Sequence, residues 1–77
     1  MGQMTYDQVK EFAESGAPVF YRTDKAEAVV SVVKPVNSEF AVVRFDEFRR
    51  GRILINGRQL TVEETCAVQR RCLFLPT

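Results

Sequence analysis

The side chains best suited to chemistry in this sequence are arginines, and they are concentrated in its second part. Residues 44–77 contain seven arginines and no lysine, against four carboxylates. Arginine forks onto phosphates and carboxylates, and aromatic rings such as those of Phe45 and Phe48 can stack on bases. The simpler interpretation is that the arginines pair with neighbouring carboxylates on a solvated face. The candidate residues for binding a nucleic acid or a protein partner are Arg44, Arg49, Arg50, Arg52 and Arg58.

Residues for catalysis are poorly represented. The chain has no histidine, which removes Ser-His-Asp and Cys-His nucleophilic sites and most metal-assisted hydrolysis. Its adjacent carboxylates, Asp46-Glu47 and Glu63-Glu64, diverge along a strand or a helix instead of facing one another across a pocket. No phosphate-binding fingerprint is present. We therefore predict a protein that is not an enzyme, with no catalytic residue, metal, cofactor or small-molecule substrate.

The two cysteines, Cys66 and Cys72, are poorly spaced for a disulfide. In one strand they would lie roughly 20 Å apart, and on a helix about 240° apart. A bridge would need an irregular stretch between them. We predict two reduced, partly buried thiols.

A second candidate contact surface is formed by aromatic and aliphatic side chains. Tyrosine is enriched at the energetic centres of protein interfaces, and an exposed sheet edge invites strand addition from a partner or a second copy. The tail at residues 73–75 is a candidate for such an edge, although it could instead pack on the chain's own core. The candidate interface residues are Tyr21, Leu73, Phe74 and Leu75.

The clearest signal for a scaffold is Asn56-Gly57 between two alternating segments. A type I′ hairpin turn needs positive φ at both central residues, which Asn-Gly supplies. Folding at this turn places four aliphatic side chains on one face, which we expect to form half of a small core: Ile53, Ile55, Leu60 and Val62. The opposite, wet face then carries Arg52, Leu54, Gln59 and Thr61.

The first half of the chain has readable element boundaries. A capping box at Thr5 to Gln8, followed by apolar residues at helical spacing, predicts a helix over residues 6–15 that Gly16 ends. Segments rich in β-branched and aromatic residues predict strands at 18–22, 28–33 and 40–45. We expect residues 46–51 to form a short connection, in which Asp46 caps a single turn.

The segment after the hairpin is ambiguous. Thr61 and Glu64 form a second capping box, which favours a helix over residues 62–71. The alternation of Cys66 and Val68 favours a strand instead. We predict the short helix, followed by residues 73–75 as a closing strand or a tucked tail.

These elements predict a single α+β, β-rich domain over residues 1–77, with residues 1–4 disordered. An N-terminal helix precedes a small, strongly bent antiparallel sheet of about five strands. The strand pattern over residues 17–62 resembles an SH3-like barrel, as in Tudor and KOW-type domains. The resemblance is one of architecture and carries no functional residue. The alternative is an open sheet packed on the first helix.

The absence of motifs favours binding over catalysis. We expect a small adaptor that acts through protein–protein contacts or as a homo-oligomer, with a nucleic-acid-binding SH3-like module using the arginines as the alternative. Small, neutral domains of this size suggest by analogy an accessory protein of a phage or mobile element. With no apolar run that could span a bilayer and no signal peptide, we expect a cytoplasmic protein that does not bind membranes.

Overall fold

The computed structural model describes residues 2–76, which form one helix, seven strands and a 3₁₀ turn. The order along the chain is helix, three long strands, a small hairpin, a fourth long strand and a short closing strand. The elements are α1 (Tyr6–Ser15), β1 (Pro18–Arg22), β2 (Glu27–Pro35), β3 (Phe40–Arg50), β4 (Leu54–Ile55), β5 (Arg58–Gln59), β6 (Thr65–Gln69), the 3₁₀ turn (Arg70–Cys72) and β7 (Leu73–Phe74).

Helix α1 has the predicted bounds because its capping residues are all in place. The Thr5 hydroxyl accepts a hydrogen bond from the Gln8 N–H at 3.2 Å, and the Gln8 side chain accepts one from the Thr5 N–H at 2.9 Å. Gly16 ends the helix with a φ of 72°, in the left-handed region. Its apolar side buries Val9 and packs against β2. Within residues 2–76 no helix has the length and apolar character needed to cross a membrane.

Five strands form an antiparallel sheet in the order β6-β3-β2-β1-β7. In a flat sheet the two outer strands would lie about 19 Å apart, four spacings of about 4.8 Å. However, only a 3₁₀ turn of three residues joins β6 to β7, and such a turn advances about 8 Å from Gln69 to Leu73. The sheet must therefore be strongly bent, as predicted. Among residues 2–76 its outer strands do not pair with each other, so the closed SH3-like barrel is not found.

The core lies between one face of this sheet and the elements that cover it. Helix α1, Met4 and Leu60 cover that face, and Tyr21 meets Phe45 edge-on with ring centroids 5.6 Å apart. The strand side chains that form the face alternate along each strand, as half-buried strands require. They are Val19, Ala28, Val30, Val32, Ala41, Val43, Phe45, Val68 and Leu73.

Strand β3 continues beyond its predicted end at residue 45. The expected connection at 46–51, with a turn capped by Asp46, is wrong, because β3 pairs with β2 as far as Arg50. Register shifts leave Asp46 and Arg49 without a partner in β2. The shift at Asp46 returns Phe48 to the same face as Phe45, on which its ring stacks at 5.4 Å. A sequence reading based on strict alternation misses this bulge.

The predicted helix over residues 62–71 is also wrong. Only half of the capping box forms: the Thr61 N–H donates to Glu64 Oε2 at 2.7 Å. The Glu64 N–H then donates to the Thr61 carbonyl at 3.3 Å, which closes a turn in which Glu63 has a φ of 73°. The chain leaves this turn as strand β6, because alternation directs Cys66 and Val68 onto the core.

The Asn-Gly hairpin forms with the predicted turn, with φ of 52° at Asn56 and 77° at Gly57. It stands outside the main sheet as a two-stranded unit. Of the four aliphatic side chains expected in the core, the pair at its base packs there: Leu60 is buried and Ile53 lies against the core. Ile55, beside the turn, and Val62, beyond the end of β5, are exposed.

We expected residues 1–4 to be disordered; in the structure residues 2–4 lie along β7. Gln3 forms a β-bridge with Phe74, and the Met4 N–H donates to the Leu73 carbonyl at 2.9 Å. The Met4 side chain is fully buried, which supplies the apolar energy that holds the segment down. For Met1 the expectation lies outside the described residues.

Candidate binding surface

The five candidate arginines do not converge on one patch. Three are ion-paired within the chain: Arg44 with Asp46 at 2.9 Å, Arg49 with Glu47 at 3.8 Å and Arg58 with Glu64 at 2.6 Å. Asp46 also accepts a hydrogen bond from the Ser31 hydroxyl at 2.6 Å. These pairs follow the simpler interpretation of the sequence, arginines matched by nearby carboxylates.

The other two candidate arginines differ from each other. Arg50 donates to the carbonyl of Thr23 at 3.0 Å and that of Asp24 at 3.3 Å, so its guanidinium holds the β1–β2 turn against the end of β3. Arg52 lies exposed between β3 and the hairpin. A phosphate backbone would therefore have to compete with internal acceptors at four of the five positions.

The four candidate interface residues lie at or beside the β1–β7 pair. Leu73 is fully buried, and Phe74 and Leu75 are half-buried. Tyr21 pairs with Leu73 and packs in the core, where burial raises the pKa of its phenol and the nearby Cys72 and Cys66 thiols add to the effect. The tail thus packs on its own core, the alternative that the sequence analysis left open.

One outer edge of the sheet, at β7, is covered by the chain itself. Residues 2–4 lie along β7: the Met4 N–H donates to the Leu73 carbonyl, and the Leu75 N–H donates to the Gly2 carbonyl at 2.9 Å. Arg70 fastens this segment, since its Nη1 donates to the Met4 carbonyl at 2.7 Å while its Nε donates to the Ser38 carbonyl at 2.6 Å. The edge offers little main chain for a further strand.

The other outer edge, at β6, is bare. The β3–β6 ladder is flanked by two hydrogen bonds, Arg70 N–H to the Glu39 carbonyl and Phe45 N–H to the Glu64 carbonyl. Because hydrogen bonding alternates along an antiparallel pair, Cys66 and Val68 use their main-chain groups toward β3. Thr65 and Ala67 therefore direct their N–H and C=O groups outward, as does the Gln69 N–H, and no described residue pairs with these groups. The Gln69 carbonyl accepts the first hydrogen bond of the 3₁₀ turn. All three residues are exposed.

The β6 edge also lacks the features that usually prevent strand addition. Native edges are protected by charged side chains, proline, bulges or a covering segment. Strand β6 reads Thr-Cys-Ala-Val-Gln, with no charge and no proline, and its register with β3 is regular. Charges begin immediately outside it, acidic at Glu63 and Glu64 and basic at Arg70 and Arg71.

Two groups beside the edge have shifted pKa values. The pKa of Glu64 is lowered because its carboxylate accepts hydrogen bonds from the Thr61 N–H and the Arg58 guanidinium. The pKa of the Cys66 thiol is raised by burial, with a smaller effect from the Glu64 carboxylate, and burial likewise raises that of Cys72. Both thiols are free, as predicted, and protonated at neutral pH they behave as small apolar side chains.

The β6 edge was not predicted, because the capping box at Thr61 and Glu64 favoured a helix over this segment. Residues 65–69 carry no charge, but residues 15–21, 28–33 and 72–77 carry none either, so the sequence does not single out this edge. Within residues 2–76, no group of three or more potential metal ligands comes together. Comparison of the chain with protein-family models, with curated proteins and with solved structures finds no match.

Proposed function

We propose that this protein is a small non-enzymatic binding module, an adaptor that acts by adding a strand to the β6 edge of its sheet. The observation that carries the proposal is the outward-facing main chain of Thr65, Ala67 and Gln69 in an edge strand without charge or proline. In strand addition the main-chain hydrogen bonds supply affinity, and alternate side chains supply specificity. The exposed side chains of these three residues would supply that specificity here.

The size of the nearest depression supports a macromolecular partner over a small ligand. A hollow of about 180 Å³ lies beside the end of β6 and is lined by Glu39, Phe40, Gln69, Arg70 and Arg71. Small-molecule sites are typically clefts of about 300–1,000 Å³ that enclose most of the ligand. A hollow this small, open beside a bare edge, suits a side chain of a docked strand better.

The nucleic-acid alternative rests on fewer free groups than its sequence pattern suggested. Arg44, Arg49 and Arg58 each face a carboxylate, and Arg50 is bound to main-chain carbonyls. Binding to phosphates releases counterions, so affinity for a mixed oligonucleotide would fall steeply with salt if this alternative held. If the strand-addition proposal holds, we expect no binding of the oligonucleotide at low salt.

Two further hypotheses are compatible with the proposal, which does not depend on them. The sheet order and the three-residue turn that joins its outer strands suit the SH3-like arrangement suggested by the sequence. An accessory role in a phage or mobile element, in the cytoplasm, remains an expectation by analogy.

The proposal is tested by introducing one lysine at either of two exposed positions. Ala67→Lys places a charge in the middle of the β6 edge, a device by which natural edges resist strand addition. Val36→Lys is the matched control, because Val36 is also exposed but lies in the β2–β3 connection. We expect immobilised Ala67→Lys protein to lose most of the partner that the wild type retains, whether that partner is a second copy or another protein, and Val36→Lys to retain it. Equal retention by the three proteins would contradict the proposal.

A further inference from the structure

We propose that the strand that occupies the β6 edge is β6 of a second copy, antiparallel to the first across a two-fold axis at Ala67. This inference rests on the proposed function and names its partner. Three observations support it: β7 is covered whereas β6 is not, the outward main-chain groups of β6 allow one register, and opposite charges flank the strand.

The covered β7 edge fixes the symmetry of the assembly. Extending the sheet head to tail would pair β6 of one copy with β7 of the next, but residues 2–4 already lie along β7. Of the two outer strands of the five-stranded sheet, β6 is the one that residues 2–76 leave uncovered, so extension through the outer strands must join β6 to β6. An interface that uses the same patch on both subunits closes as a two-fold dimer and cannot grow into a fibre.

The outward main-chain groups select one register. In an antiparallel pair, residues that exchange both hydrogen bonds alternate with residues that exchange none. Placing Ala67 opposite Ala67 of the second copy also places Thr65 opposite Gln69, and Gln69 opposite Thr65. All the outward groups of β6 are then used, the Gln69 carbonyl through its second lone pair, whereas a shift of two residues in either direction leaves some of them unpaired. The small Ala67 side chains lie at the axis.

The flanking charges favour the same orientation. Glu63 and Glu64 precede β6, and Arg70 and Arg71 follow it. Antiparallel pairing brings the acidic end of one strand to the basic end of the other, whereas parallel pairing would bring like charges together. Glu64 is paired with Arg58, and Arg70 is bound to main-chain carbonyls. The pair available across the interface is Glu63 with Arg71, both exposed, since Arg71 is hydrogen-bonded only to the neutral Gln69 side chain among the described residues.

The first test is the mass in solution, measured by sedimentation equilibrium over a wide range of concentration. We expect the wild type and Val36→Lys to reach twice the chain mass of 8.8 kDa. Ala67→Lys places two lysines against each other at the axis, and we expect it to stay at the monomer mass while keeping the wild-type circular dichroism spectrum. A wild type that is monomeric at every concentration, or an Ala67→Lys protein that dimerises like the wild type, would overturn the inference.

The second test fixes the register by cross-linking. Directly opposed residues of a hydrogen-bonded antiparallel pair have Cα atoms about 5.5 Å apart, within disulfide range. In a background with Cys66→Ala and Cys72→Ala, we expect Ala67→Cys to form a disulfide-linked dimer when an oxidant is added. Thr65→Cys alone should cross-link poorly, and a mixture of Thr65→Cys with Gln69→Cys should link well. Efficient linkage of Thr65→Cys to itself in place of Ala67→Cys would overturn the register.

The third test exchanges the charges and does not depend on the cysteine background. We expect Glu63→Arg and Arg71→Glu to weaken the dimer individually and the double variant to recover wild-type affinity, because the exchange restores opposite charges across the axis. A double variant weaker than both single variants would overturn the charge pairing. If the wild type proves monomeric while Ala67→Lys still abolishes capture of another protein, the dimer is overturned and the proposed function stands.

Discussion

The two outer edges of this sheet are built in opposite ways. At β7 the chain covers its own edge: residues 2–4 pair with it, and the Met4 side chain is buried beneath. At β6 the edge is longer, uncharged and uncovered. Charged side chains at such a position are a common defence against unwanted pairing, and none lies within β6. The contrast is what we expect if one edge contributes to folding stability and the other is the proposed site of association.

The two edge strands are linked by a short turn. The 3₁₀ turn leads directly from β6 to β7, and Arg70 at its start binds main-chain carbonyls of the N-terminal segment and of the β2–β3 connection. The residue that follows the bare edge therefore also binds the segment that covers the other edge. We therefore expect substitutions at the β7 edge to lower the folding stability and substitutions at the β6 edge to weaken association.

The largest expected effect is at Met4, on the covered edge. Met4→Ala removes a fully buried side chain and leaves a cavity under the segment that covers β7, which should lower the free energy of unfolding by about 2–4 kcal/mol. Met4→Leu, which preserves volume, should cost less than about 1.5 kcal/mol. Urea denaturation checks both values. Equal stability of Met4→Ala and the wild type would mean that the segment does not hold this edge.

A smaller effect is expected at Arg70, between the edges. Arg70→Ala leaves the Met4 and Ser38 carbonyls without their guanidinium donor and should cost about 1–3 kcal/mol. The neighbouring Arg71 is exposed and its guanidinium contacts only the Gln69 side chain among the described residues, so Arg71→Ala should change the stability by less than about 0.5 kcal/mol. The pair is compared by urea denaturation at a concentration where the chain is monomeric. Equal effects at the two positions would remove Arg70 from its fastening role.

Much of the fold could be predicted because its signals are local. The Thr5 to Gln8 capping box and Asn56-Gly57 specify their structures within a few residues, and both formed as predicted. The failures involve tertiary contacts. Stacking of Phe48 on Phe45 requires a bulge that no local pattern encodes, and the half capping box at Thr61 closes a turn because Val68 is needed in the core.

The candidate site was harder to predict than the fold. Whether a strand lies at the edge depends on the order of the strands in the folded sheet. Nothing in residues 65–69 alone therefore shows that they form an outer strand. The arginine site was hard to predict for a related reason, since it too depends on tertiary contacts. Their clustering in sequence was visible, but the sequence did not show that the carboxylates of Asp46, Glu47 and Glu64 would meet them.

The most direct test of the β6 edge as the site of association is amide hydrogen exchange, resolved by residue and measured at high and low protein concentration. The Cys66 and Val68 N–H groups donate to β3 and should exchange slowly in every sample. The Thr65, Ala67 and Gln69 N–H groups should exchange slowly at high concentration and fast on dilution, and in Ala67→Lys those of Thr65 and Gln69 should be fast throughout. Fast exchange of all three groups in the wild type at every concentration, with Cys66 and Val68 still protected, would contradict the account.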